Sequence, residues 1–144
     1  MIDLAQYDTH RAETGEPMEV MFPGSSPPVP LAENGDAPIK LLLRGTDSSA
    51  YRAIRRDLVK RRQQASARNG GTVPLEAVET ESLDTVHACL AGWEGVVMDG
   101  VEVEFTPTNA RRVLTRLPWL VEQADAFIHD RANFLKRLPN GSSA

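Results

Sequence analysis

The residues whose types could do chemistry are few in this 144-residue chain: His10, His87, His129, the single Cys89, and a Glu102/Glu104 pair. A structural zinc site needs ligands at short, repeated spacings. No CxxC or HxxxH occurs, and His87 and Cys89, two apart on an expected helix, fall on nearly opposite faces. There is no GxSxG elbow and no glycine loop of the phosphate-cradling kind. Cys89, beside Leu90 in an apolar helical register, reads as a small buried hydrophobe. Glu102 and Glu104 could be drawn as a carboxylate pair, but alternation with Val101, Val103 and Phe105 also describes a half-exposed strand. The expectation is a non-enzyme with no catalytic residues, no cofactor and no metal.

A stronger signal is basic. In YRAIRRDLVKRRQQASAR, the cations Arg52, Arg55, Arg56, Lys60, Arg61, Arg62 and Arg68 cover the surface left by an apolar stripe of Tyr51, Ile54, Leu58 and Ala65. Three readings fit: a solvated or self-paired helix, a seat for an acidic protein partner, or a nucleic-acid face. The net charge of −4 and the absence of a helix-turn-helix signature disfavour nucleic acid. Charge is also segmented. Residues 69–104 hold eight acids and no base, whereas residues 44–68 hold eight bases and two acids. Such blocks pair within the fold or present faces of opposite sign to a partner or a second copy, so self-association is open. Trp93, Phe105 and Trp119 complete the candidate partner-binding set with Arg52, Arg55, Arg56, Lys60 and Arg62, since aromatic residues dominate interface hot spots.

These residues must be positioned by an α+β fold. Alternation predicts strands over 18–22 and 39–44, separated by a flexible Pro/Gly-rich loop at 23–38. Capping residues and a 3.6-residue period predict helices over 47–68 and 74–91. Asp99-Gly100 is a two-residue hairpin turn between strands 93–98 and 101–105. Thr106-Pro107 opens a helix over 107–117, and a last helix is expected over 119–137 before a disordered tail at 139–144. A chain of this length is one domain, 1–144. No apolar run approaches a membrane span, and with one cysteine no internal disulfide forms, so a cytoplasmic address is expected.

The segments LRGTDSSAYRAIRRDLVKRR and GWEGVVMDGVEVEFTPTNARRVLTRLPWLVEQADAFIHDRANFL resemble the tail assembly chaperones of long-tailed bacteriophages and prophages. The most specific parts are Trp93–Val96, Phe105–Ala110 and Asp130–Leu135. The resemblance implies a non-catalytic assembly factor that binds and solubilises the tape measure protein and helps recruit tail tube subunits. It implies action in the host bacterial cytoplasm and absence from the mature virion. Members of the family are often made in two lengths by a translational frameshift, the longer form reaching the tube protein; an end at PNGSSA is consistent with the short form. The Pro-rich insertion departs from the family's compact strand connection. The alternatives are a small nucleic-acid-binding phage or bacterial protein using helix 47–68, or a structural tail or head-completion protein of the virion.

Overall fold

The computed structural model describes residues 1–32 and 37–135. After a 3-10 turn at Leu4–Tyr7, the elements are α1 (Arg11–Thr14), β1 (Glu16–Glu19), β2 (Lys40–Leu43), α2 (Ser49–Arg68) and α3 (Leu75–Cys89). There follow β3 (Leu90–Glu94), β4 (Val97–Met98), β5 (Val101–Glu102), α4 (Pro107–Arg116), α5 (Pro118–His129) and a 3-10 turn at Arg131–Phe134. The fold is α+β: a three-stranded antiparallel sheet in the order β1-β2-β3, a two-stranded ribbon β4-β5, and helices packed on one sheet face.

Local chemistry explains the boundaries. Ser48, fully buried, caps α2 by accepting from the Tyr51 amide, and its hydroxyl donates to the Gly45 carbonyl at 2.6 Å. Helix α2 stops at Asn69, where Gly70 and Gly71 take positive φ of 65° and 96°. Thr106 caps α4 and Pro107 fills its first position. Asp99 and Gly100, at φ 52° and 80°, make the expected tight turn between Val97↔Glu102 and Met98↔Val101.

The hairpin expected over 93–98 and 101–105 is corrected in its extent. Gly95, at φ 79°, breaks the run. Residues before it join the main sheet as β3, with Leu41 opposite Trp93, and only two residues on each side of the Asp99-Gly100 turn pair as a ribbon. The helix expected over 74–91 ends at Cys89 and passes directly into that strand. The helix expected over 119–137 ends at His129 and continues, after Asp130, as the 3-10 turn; residues 136 and 137 lie outside the described residues, as do 33–36 and the tail at 139–144. The strand expected over 18–22 is shifted to Glu16–Glu19, beyond which Met21 forms an isolated bridge with Pro30. The described part of 23–38 folds back, with Phe22 N–H donating to the Val29 carbonyl and Leu31 N–H to the Val20 carbonyl.

The core forms where one face of the sheet meets α3, α4 and α5. Met18, Leu41, Leu43 and Leu90 come from the strands, Val86 and Cys89 from α3, Val113 and Leu114 from α4, and Ala124 and Ile128 from α5. Apolar residues assigned inward by alternation are not all covered. Phe22 is 56% exposed and Val101 66% exposed. Leu75 and Val78 at the start of α3 are also exposed, because the end of that stripe nearest α4 and α5 is the end that is buried.

The N-terminal segment is tied to the start of α2. Asp47 accepts from the Thr9 hydroxyl at 2.6 Å and from Arg131 at 2.9 and 3.2 Å, and these donors, Arg131 first, hold its carboxyl below the usual range. Gly45 carries the ring of Phe134: a Cβ built at Gly45 would lie 2.7 Å from it. Gly45→Ala is therefore expected to destabilise the protein by about 1–3 kcal/mol through overpacking. Urea denaturation reads this directly, and an unchanged midpoint would mean that the ring has another place to go. Burial, helped by Asp125 and opposed by Arg44, pushes the Cys89 thiol up to about 12. With the folded value raised, the thiol's contribution to stability is intact below the unfolded value and is lost as pH rises from about 9 toward 12. At pH 8, Cys89 should react with an aromatic disulfide reagent only at the rate of unfolding; immediate stoichiometric reaction would contradict its burial.

Candidate partner-binding surfaces

Helix α2 offers two different cationic surfaces. Toward α3 its charges are consumed. Arg62 donates two hydrogen bonds to Glu81, at 2.5 and 2.7 Å, and Arg61 reaches Asp84 at 3.0 Å and Asp57 at 2.5 Å. Arg111 of α4 converges on the same Asp84. The acidic block at 69–104 thus neutralises part of the basic helix within one chain. Away from α3, Arg52 donates to the backbone carbonyl of Asp47. Arg55, Arg56 and Lys60 are exposed and make no hydrogen bond or ion pair among the described residues. Of the basic candidates, then, Arg55, Arg56 and Lys60 remain open to a partner, Arg52 is tied by its guanidinium to the backbone before the helix, and Arg62 is engaged.

The aromatic candidates sit elsewhere. Trp93 is half-buried; its indole N–H donates to the Val103 carbonyl at 2.9 Å, and its ring meets Phe105 edge-on at 5.1 Å between centroids. Trp119, in the first turn of α5, is half-buried against the core. The structure does not bring these three rings together with the basic residues into one site.

A surface that sequence reasoning did not single out lies between the folded-back 18–28 segment and α5. It is an open groove of about 550 Å³, lined chiefly by Met18, Met21, Phe22, Pro28, Ala126 and Phe127, with Glu19 and Asp130 among its polar lining residues. Gln123 fixes the geometry: its side-chain amide accepts from the Met21 N–H and donates to the Met21 carbonyl, both at 2.9 Å. Phe127 is braced by Phe134, edge-on at 5.6 Å. The only hint in the sequence was the apolar alternation over 18–22, whose last ring, Phe22, lies on the surface.

The histidines are apart: His10 lies beside Asp8, His87 Nε2 donates to the Pro107 carbonyl, and His129 bridges Tyr51 and α5. Among the described residues, no group of three or more His, Cys, Asp or Glu is placed to hold a metal ion, and no helix is long and apolar enough to cross a membrane.

Neither a curated protein nor a solved structure matches the chain. A family model does, described as YdaY prophage protein, over residues 46–137, which spans α2 through the last 3-10 turn. That match takes in most of the chain, and on it the protein belongs to the YdaY prophage protein family.

Proposed function

We propose that this prophage protein is a non-catalytic tail assembly chaperone that binds the tape measure protein, keeps it in solution, and helps recruit tail tube subunits in the host cytoplasm. The observation that carries the reading is the groove between the 18–28 segment and α5. A holdase for a long amphipathic helical client needs an apolar trough with polar margins that binds repeatedly and reversibly. Methionine suits such a surface, because its unbranched, polarizable side chain repacks against varied partners. Met18, Met21, Phe22 and Phe127 give the trough its apolar lining, and Glu19 and Asp130 add carboxylates that basic positions of a client helix would meet. The resemblance of 39–135 to tail assembly chaperones points the same way.

A second reading draws on Arg55, Arg56 and Lys60, which find no partner among the described residues. Exposed cations on one helix face suit a polyanion, and a nucleic-acid binder would use them. Its affinity would fall steeply with salt, whereas docking in an apolar groove would depend on salt far less.

Co-expression with the tape measure protein of the same prophage tests the first reading. The expected outcome is a soluble, co-eluting complex at both low and high salt, with the long protein insoluble alone. Phe22→Asp, at an exposed position, should leave folding intact and abolish co-elution. A complex unaffected by Phe22→Asp but lost in Arg55→Glu/Arg56→Glu would move the seat to α2. No complex, together with salt-sensitive DNA retardation, would replace the chaperone by the nucleic-acid reading.

A further inference from the structure

The hairpin of α2 and α3 is anchored at one end only. Along α2 the one buried residue is Leu58, and the buried residues of α3, Thr85, Val86 and Cys89, lie in its last turns. The distal half, from Val59 around the Gly70-Gly71 turn to Asp84, contains no buried residue. It nevertheless carries large apolar side chains in the open: Val59 is 41% exposed, Leu75 67% and Val78 40%. Single exposed apolar residues are ordinary, but these sit among uncommitted charges of opposite sign on the two helices. From that setting we infer that the chain binds a second copy of itself, the outward face of α2 on one copy docking on the start of α3 on the next.

Spacing defines the two surfaces. On α2, Arg56, Val59 and Lys60 stand at i, i+3 and i+4, so they share one stripe, and all are exposed. On α3, Leu75, Glu76, Val78 and Glu79 fall within the first five residues and are exposed as well. Arg56 and Lys60 are four residues apart, Glu76 and Glu79 three, so each pair holds its charges about 5–6 Å apart. Val59 lies between the cations, while Leu75 and Val78 flank the carboxylates. Each surface offers an apolar contact, and each offers the charge that the other lacks.

The two surfaces cannot meet within one chain. The residues that α2 turns toward α3 are Arg61 and Arg62, which take Asp84 and Glu81. Arg56 and Lys60 each lie two residues from buried Leu58, so they point about 160° away from it, to the far side of the helix. Among the described residues neither cation makes a hydrogen bond or ion pair, and neither do Glu76 and Glu79.

A second copy brings the complement of each surface in equal amount. Because the surfaces lie on different helices, the contact is head to tail, and successive copies form a ring or an open row rather than a two-fold pair. The contact uses no residue of the methionine-lined groove, so it stands whether or not that groove seats a tape measure protein.

Sedimentation velocity on the purified full chain, with no client present, tests the inference over a concentration series at low and high salt. The parent's mean mass should rise with concentration at low salt and fall back at high salt. Arg56→Glu/Lys60→Glu and Glu76→Lys/Glu79→Lys should each weaken association about ten-fold or more, by setting like charges against each other. Mixed in equal amounts, the two variants should associate again, because the acidic α2 of one meets the basic α3 start of the other. Glu76 lies in the first turn of α3, where a carboxylate favours the helix dipole. Glu76→Gln/Glu79→Gln is therefore the milder variant, expected to lose association while melting as the parent does. A parent that stays monomeric at millimolar concentration, association that survives either reversal, or a mixture that stays monomeric would each overturn the inference.

Discussion

The ring of Phe134 rests on Gly45 at a distance no side chain could share, and much of the molecule is organised around that seat. Gly45 stands where β2 ends and α2 is about to begin. Its carbonyl receives the Ser48 hydroxyl and its N–H donates to the carbonyl of buried Ala12. Two residues on, Asp47 takes hydrogen bonds from Thr9 near the N-terminus and from Arg131 beside Phe134. One short turn thereby clamps the first, middle and last described segments of the chain. Phe127, which lines the methionine groove, is braced by the same Phe134 ring, so the groove wall inherits its position from a glycine in the β2–α2 connection.

Electrostatics divides α2 along its length. Its C-terminal half is bound to α3 by Arg61 and Arg62, whose partners Asp84 and Glu81 are mostly shielded from solvent. Its N-terminal half keeps Arg55 and Arg56 exposed, with Lys60 at the boundary. The alternation of charged blocks along the sequence is thus only partly cancelled in the fold.

Elements marked by local stereochemistry were legible in the sequence. Ser48 and Thr106 announce their helices because an accepting hydroxyl is needed before the first turn, and Asp99-Gly100 announces its hairpin because both residues tolerate positive φ. The membership of β3 was not legible, because Trp93–Met98 reads as one continuous extended run and only the backbone at Gly95 separates sheet from ribbon. The basic helix was plain, but which cations are spent depends on Glu81 and Asp84 arriving from another helix. The groove was hidden for a similar reason. Its defining bond joins Met21 to Gln123 across 102 residues of sequence, and no periodicity carries that information.

That bond also bears on what the sheet does to its neighbours in a crowded cell. Strand β1 is an outer strand, and an unprotected outer strand is a template on which copies of a protein polymerise. Here Pro17 has no N–H to offer along it, and at Met21 the Gln123 amide supplies both the donor and the acceptor that another backbone would bring. A single glutamine acts as one residue of a missing strand. Along the β1 edge the chain can therefore expose an apolar trough while denying incoming strands a register to grow on, which on that flank separates stickiness toward a helix from propensity to form fibrils.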